Sequence, residues 1–124
     1  MRLSRVFACL VTLSCLVFGT LQANAAGALA TGQCGAYGYA FDDATTRSAE
    51  TRALRACRGK NCRVVATIRR GCAAFAIDAR NACGPHGWAS ARTLGVAQNA
   101  AMKSCYRFGG KNCMIRAWAC DAKG

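Results

Sequence analysis

The clearest pattern along the chain is a pair of alanine-rich segments in which small apolar residues recur at every fourth position. The first segment covers residues 45–57 and the second covers residues 93–105. The recurring residues are Ala49, Ala53 and Cys57 in the first segment, and Ala97, Ala101 and Cys105 in the second. Apolar residues at i, i+4 and i+8 predict an amphipathic helix. We therefore expect two helices that pack closely against a sheet through small side chains.

Other segments have the composition of β-strands. Residues 63–68 are rich in β-branched side chains, residues 72–77 form a short apolar run, and residues 114–119 alternate between two faces. Tyr37-Gly38-Tyr39 and His86-Gly87-Trp88 place a glycine between rings, which is typical of a strand that another backbone approaches closely. We expect these rings and that of Trp118 to belong to the core. The alternative is that they are exposed and offer stacking surfaces.

These segments recur in the same order in two halves, approximately residues 34–78 and 83–120. The first half begins with Cys34-Gly35-Ala36-Tyr37-Gly38-Tyr39-Ala40, and the second begins with Cys83-Gly84-Pro85-His86-Gly87-Trp88-Ala89. Each alanine-rich segment is followed by an identical Gly-Lys-Asn-Cys tetrad, at residues 59–62 and 110–113. We predict an α+β fold of two strand–helix–strand repeats, which form one small, mainly antiparallel sheet with two helices. Residues 72–77 would add an extra strand to the first half.

The first 25 residues have the features of a secretory signal peptide. Arg2 and Arg5 provide a positive start, residues 6–18 are apolar, and Ala23-Asn24-Ala25 is a small-x-small cleavage sequence. The apolar run is shorter than the roughly 20 residues that a transmembrane helix needs. The alternatives are an uncleaved anchor and a lipoprotein signal at Cys15. We expect cleavage between Ala25 and Ala26, which leaves residues 26–124 as one domain in the periplasm or outside the cell.

Removal of this signal would leave a basic, cysteine-rich domain. The whole chain has 17 Lys and Arg against five Asp and Glu, a formal net charge of +12. Without residues 1–25 the net charge is +10, and eight of the ten cysteines remain. An even number of cysteines in a short exported domain predicts a disulfide framework in an oxidising compartment.

The order of these motifs resembles the DUF4189 family. The matching segments are residues 37–39, 53–57, 59–65 and 72–74 in the first half, and residues 87–88, 100–105, 113 and 117–120 in the second. The resemblance covers nearly all of the chain after Ala25, and it implies a small, exported, disulfide-linked bacterial protein. It carries over no catalytic residue, and it implies roles such as a secreted effector or the immunity partner of a delivered toxin. Cys34, Cys83 and the excess of arginine depart from the family pattern.

Cysteine spacing narrows the pairing without fixing it, because eight cysteines allow 105 connectivities. Two pairs lie where a predicted helix ends and the next strand begins, so a turn can bring their sulfurs together. The expected pairs are Cys57–Cys62 and Cys105–Cys113, with Cys72–Cys120 and Cys34–Cys83 for the remainder. Zinc is the alternative reading, but only Cys57 and Cys62 have the short spacer of structural zinc sites. We expect neither a metal nor a cofactor.

Eleven of the 15 basic residues after Ala25 are arginines, and seven of these follow one another closely in the first half. They are Arg47, Arg52, Arg55, Arg58, Arg63, Arg69 and Arg70. Such a surface can bind nucleic acid, phospholipid, lipopolysaccharide or an acidic protein. The alternative is a solvated basic surface without a partner. We expect Arg52 and Arg55 to project from the helix into solvent.

Catalysis has few candidate residues in this chain. His86 is the one histidine, and it occupies the place that Tyr37 holds in the first half, which indicates packing. A Ser90–His86–Asp78 site can be written, but nothing in the spacing supports it. We therefore expect a protein that is not an enzyme, with a hydrolase as the least favoured alternative.

The sequence thus predicts a protein that acts by binding. The favoured partner is another protein, as effector-type or immunity-type relatives would imply. The alternative is a cationic secreted effector that binds membranes or nucleic acid, and its binding would weaken steeply with salt.

Overall fold

Six strands and two helices follow one another in the computed structural model, which describes residues 25–121. They are β1 (Ala26–Thr31), β2 (Tyr37–Asp43), α1 (Thr46–Ala56), β3 (Arg63–Ile68), β4 (Gly71–Asp78), β5 (Asn81–Ala91), α2 (Leu94–Arg107) and β6 (Cys113–Asp121), with a short 3-10 turn at Gln33–Gly35. The predicted signal sequence lies outside the described residues except for Ala25, which directly precedes β1. Neither helix in this part of the chain has the length and apolarity that a membrane span requires.

The strands form two separate antiparallel sheets of three strands each. The N-terminal sheet has the order β2–β1–β3, and the C-terminal sheet has the order β5–β4–β6. The α+β class agrees with the prediction, but the single sheet was wrong, because each half pairs its three strands among themselves. Residues 72–77 belong to β4, the central strand of the second sheet, and do not extend the first half.

The two halves share a strand–strand–helix–strand order, which differs from the expected strand–helix–strand unit by an additional first strand. The registers of the two sheets correspond closely. In the N-terminal sheet Ala30 pairs with Gly38 and Leu29 pairs with Ala66; in the C-terminal sheet Ala76 pairs with Gly87 and Phe75 pairs with Ala117. The pairing of β1 with β3 shifts between Leu29 and Ala30, and that of β4 with β6 shifts between Phe75 and Ala76. The two sheets therefore have the same bulge at the same place.

One helix packs closely on the outer face of each sheet, and a glycine in the underlying strand makes the approach possible. A Cβ atom on Gly38 would collide with the carbonyl oxygen of Ala53 in α1, and one on Gly87 would lie 2.7 Å from that of Ala101 in α2. Real Cβ atoms do not approach an oxygen this closely, so both positions require glycine. The helices lie within two residues of the predicted bounds at each end.

The two helices and the two sheets form four layers, and the core consists of the three interfaces between them. Alternate residues of β1 face opposite ways: Ala26, Ala28 and Ala30 pack against α1, while Leu29 faces the other sheet. Between the two sheets, Leu29, Ile68, Phe75 and Ile77 form the central cluster together with four alanines. The third layer joins the C-terminal sheet to α2, again mainly through alanine and cysteine. The order α1, N-terminal sheet, C-terminal sheet, α2 leaves the edge strands at the two sides of the sandwich.

Candidate functional site

Four disulfides hold this sandwich together, and they are the four pairs considered above. Cys57–Cys62 and Cys105–Cys113 each join a helix end to the strand that follows it. Cys72–Cys120 links directly paired residues of β4 and β6, with Cα atoms 4.0 Å apart. Cys34–Cys83 joins the 3-10 turn to β5, and so connects the two halves. Among the described residues, no three His, Cys, Asp or Glu side chains come together in a way that could hold a metal ion.

A surface cavity lies at one side of the sandwich, where the edge strands β2 and β6 of the two sheets face each other. We call it the β2–β6 groove. Its volume is about 490 Å³, and its walls are Tyr37, Tyr39 and Phe41 from β2 and residues 116–120 from β6. Tyr37, Tyr39 and Phe41 alternate along the strand and therefore point to the same face.

These three rings form a stacked row. The ring centroids of Tyr37 and Tyr39 are 6.4 Å apart with planes 4° from parallel, and those of Tyr39 and Phe41 are 6.2 Å apart at 20°. The guanidinium of Arg116 lies 5.3 Å from the centroid of the Tyr37 ring, and its Nε donates to the carbonyl oxygen of Gly35 at 3.3 Å. Arg116 is the extra residue at the β6 bulge, which is the kind of position where a bulge redirects a side chain.

Tyr39 and Trp118 are exposed, contrary to the expectation that they belong to the core, whereas Tyr37 is partly buried and packs against the central cluster. Tyr39 is 42% exposed, Phe41 is 47% exposed and Trp118 is 48% exposed. They lie on edge strands, where the opposite sheet no longer covers the ring. A stack with one uncovered face can contact a partner without any rearrangement of the fold.

The other side of the sandwich carries the equivalent positions of the repeat with different chemistry. The residues of β5 that correspond to Tyr37, Tyr39 and Phe41 are His86, Trp88 and Ser90. The residue that corresponds to Arg116 is Val65, which packs against the central cluster. A smaller cavity of about 340 Å³ lies here, between Arg63, Trp88 and the end of α2. This side has neither an aromatic row nor a cation at the bulge.

The seven arginines singled out in the sequence do not form one surface. Arg55 projects into solvent as expected, but Arg52 donates to the Asp43 carboxylate at 2.8 Å. This is the one ion pair among residues 25–121. Asp43 is buried and also accepts from the hydroxyl of Ser48. Arg52 is therefore partly structural, because it neutralises a buried carboxylate next to the start of α1.

Two of the seven arginines meet a third that sequence reasoning missed. Arg69 and Arg70 form the turn between β3 and β4, and Arg92 follows β5; the three line a cavity of about 240 Å³. We call it the Arg69 cavity. Ser90 and Thr67 also line it, and no acidic side chain does. Arg92 could not be assigned to it from the sequence, since it lies in the other half of the repeat.

Arg69 and Arg70 each have a distinguishing local feature. Arg69 donates from Nη2 to the hydroxyl oxygen of Thr46 at 2.7 Å. Arg70 has a φ angle of 53°, in the left-handed region that glycine and asparagine adopt more readily than arginine. Strained backbone of this type is often associated with function.

The three residues considered for catalysis do not come together. His86 packs edge-on against Phe75, with centroids 6.2 Å apart, and its Nδ1 lies 3.1 Å from the carbonyl oxygen of Gly84. Ser90 lies four positions further along the same strand, about 13 Å away at strand spacing. The carboxylate of Asp78 accepts from the backbone N–H groups of Lys111 and Arg80, at 3.0 and 2.9 Å. These two hydrogen bonds hold the pKa of Asp78 below its ordinary value.

The fold and its surface define a small, disulfide-linked α+β domain with one exposed aromatic groove and one cationic cavity. Within that class, the chain belongs to the DUF4189 family, a domain of unknown function whose family model matches residues 26–120. No curated protein and no solved structure matches the chain.

Proposed function

We propose that the protein is an exported binding module that recognises a protein partner through the β2–β6 groove. The observation that carries this proposal is the row of half-exposed rings of Tyr39 and Phe41, which faces Trp118 across the groove, with Arg116 at its side. Tyr, Trp, Phe and Arg are the residues enriched in protein interfaces, and Tyr, Trp and Arg supply most interface hot spots.

The rigidity of the groove supports the same function. Both strands that form it are held by disulfides or by pairing to a buried central strand, and Arg116 is fixed by the Gly35 carbonyl oxygen and the Tyr37 ring. A surface that is already ordered loses little conformational freedom on binding. The basic character of the domain favours a partner with an acidic rim around an apolar centre.

The experiment compares two aromatic residues at equivalent places of the repeat. Tyr39 and Trp88 are equally exposed, at 42% and 41%, but only Tyr39 lies in the groove. The oxidised mature protein is immobilised and used to retain proteins from the native periplasm and medium. The partner is then purified, and its affinity is measured for the wild type and for each variant.

We expect Tyr39→Ser combined with Trp118→Ser to weaken the partner's binding at least about 30-fold, as loss of a hot spot does. Trp88→Ser should leave the affinity within about threefold, with all proteins showing the same circular dichroism. Equal losses from both variants, or a partner that binds the groove variant normally, would contradict the proposal.

We also propose a second function, the binding of a phosphate-bearing polyanion, on the basis of the Arg69 cavity. Three guanidinium groups with no acidic side chain among the cavity residues form a site whose charge is uncompensated. Guanidinium groups bind phosphate oxygens through paired hydrogen bonds. The backbone of Arg70 is in the left-handed region, where asparagine would be less strained than arginine. An arginine at this position is therefore not explained by backbone stability.

The test replaces Arg70 by asparagine, which tolerates the left-handed backbone better, so that a loss of binding is not caused by a loss of stability. Arg70→Asn combined with Arg92→Gln should keep or raise the melting temperature while weakening binding to anionic vesicles or to a single-stranded oligonucleotide. For the oligonucleotide, the slope of log affinity against log salt should become shallower by about 1.4, because each phosphate contact to a single strand contributes about 0.7. Arg47→Gln combined with Arg55→Gln, on the exposed face of α1, is the matched control. An equal effect of both pairs would show general charge attraction and would contradict a defined site.

A further inference from the structure

Asp121, the last residue of β6, is a buried acidic side chain with an unused oxygen. Its side chain is almost completely enclosed, at 1% exposure. Oδ1 accepts from the backbone N–H of Asp42 at 3.1 Å, whereas Oδ2 has no hydrogen-bond partner. Within residues 25–121, Oδ2 of Asp121 is the one buried side-chain nitrogen or oxygen atom without a hydrogen-bond partner. Buried polar groups are nearly always paired, so an unpaired carboxylate oxygen points to a missing partner.

The beginning of β1 lies against this carboxylate. A Cβ atom on Gly27 would lie 3.5 Å from the Cβ atom of Asp121, so this face of β1 is directed at the Asp121 side chain. Ala26 pairs with Asp43 across β1 and β2, and the neighbouring residue Asp42 is the one that donates to Asp121. Ala26 and the Asp121 carboxylate therefore each lie beside one of two consecutive residues at the end of β2.

We infer that Asp121 is a binding site for a primary ammonium group, and that its ligand is the chain's own α-ammonium at Ala26. The inference rests on the proposed export and cleavage after Ala25. Hydrolysis of the Ala25–Ala26 peptide bond consumes one water, leaves a carboxylate on Ala25, and leaves an α-amine on Ala26 that takes up a proton. A single amide hydrogen is thereby replaced by three ammonium hydrogens. One of them can donate to Oδ2 of Asp121, and two remain for other acceptors.

The consequence is that the fold is completed by the cleavage itself. Before cleavage the nitrogen of Ala26 is neutral, and no cation within residues 25–121 forms an ion pair with the Asp121 carboxylate. After cleavage the two charges form a buried, hydrogen-bonded pair, and charge-assisted hydrogen bonds are about twice as strong as neutral ones. The precursor would therefore be less stable than the mature domain, which favours an unfolded chain until export is finished.

The experiment varies the first residue and the carboxylate together. Oxidised chains beginning at Ala26 and at Ala25 are prepared by removal of a cleavable tag, each with Asp121 and with Asp121→Asn. We expect the chain beginning at Ala26 to melt about 5–10 °C higher than the chain beginning at Ala25. In the Asp121→Asn pair this difference should disappear. Equal melting temperatures with Asp121 present, or an unchanged difference in Asp121→Asn, would overturn the inference.

A second measurement covers the case in which Asp121→Asn does not fold. The α-amine of the chain beginning at Ala26 should react with an amine-directed acylating reagent at least about tenfold more slowly in the folded protein than in the reduced, unfolded one. The α-amine of the chain beginning at Ala25 should lack this protection. Equal reaction rates would overturn the inference. Because the first residue is set by preparation, these results do not depend on cleavage in the cell or on any partner.

Discussion

The two sides of the sandwich have nearly the same backbone and different surfaces. On one side β2 and β6 present Tyr39, Phe41 and Trp118, with Arg116 at the bulge. On the other side the equivalent bulge residue is Val65, which is drawn into the core, and Ser90 stands in the place of Phe41. Since the second side folds without an aromatic row, the fold does not require one. The aromatic residues of the β2–β6 groove are therefore not explained by the requirements of the fold, and the proposed binding function would account for them.

The inner positions of the repeat differ much less than the outer ones. Gly38 and Gly87 admit their helices in the same way, and Leu29 and Phe75 are the equivalent large residues of the two central strands. Packing therefore constrains both halves similarly, whereas the edge strands have diverged. The comparison of the two halves can be tested at the core between the sheets, at the disulfides, and at the Asp78 carboxylate, which has no counterpart in the first half.

The largest effect is expected at the core between the sheets. Phe75→Ala should lower the free energy of unfolding by about 3–5 kcal/mol, and Leu29→Ala by about 2–5 kcal/mol, because both side chains are completely buried. The two sheets share this core, so denaturant unfolding followed by fluorescence and by circular dichroism should show one common transition. Separate transitions for the two halves would show that they fold independently.

The disulfides should differ according to the length of chain that they close. Replacing Cys34 and Cys83 by serine opens a loop with a sequence separation of 49 and should cost about 4 kcal/mol in the chain-entropy treatment. Replacing Cys57 and Cys62, with a separation of 5, should cost about 2 kcal/mol. The measurement is chemical denaturation of each double variant. A larger loss from the short loop would show that native-state contacts, and not chain entropy, determine the ranking.

The smallest effect concerns pH and the second half alone. Asp78 has a carboxylate at the end of β4, whereas the equivalent residue at the end of β1 is Gly32. Backbone N–H groups of Lys111 and Arg80 lower the pKa of Asp78 in the folded protein. The resulting stability is present at neutral pH and is lost as the pH falls through that lowered pKa. Melting temperatures across the acid range should therefore fall more for the wild type than for Asp78→Asn, and parallel curves would contradict this.

Much of the inner structure could be predicted from the sequence, since it follows from periodic patterns. The alanine stripes gave both helices, and the helix-to-strand spacing of Cys57 and Cys62 indicated a local pair. β1 was missed because Ala-Gly-Ala-Leu-Ala-Thr contains a single β-branched residue, Thr31 at its end. Its small side chains are nevertheless what α1 packs against. Without β1, residues 72–77 could not be recognised as the start of a second sheet.

The candidate site was less predictable, because it depends on which strands form edges. Tyr39 and Trp118 are far apart in the sequence, and their rings become a surface only because β2 and β6 are both outermost strands. The same holds for Arg92, which joins Arg69 and Arg70 only through the pairing of β5 with β4. The residues next to them in the sequence do not indicate whether a ring is exposed or buried, or whether an arginine lies close to other arginines.

The Cys34–Cys83 bridge has a consequence for how the molecule is assembled. In the register of the repeat, Cys34 and Cys83 are the same position in the two halves, so the bond joins a residue to its own counterpart. Such a contact is isologous, the kind that closes a dimer with C2 symmetry. Two separate copies of one half, each with a single cysteine at this place, could form the same bond between them. The chain thus has the covalent layout of a two-fold dimer whose subunits are fused through the two-residue turn at Arg69 and Arg70.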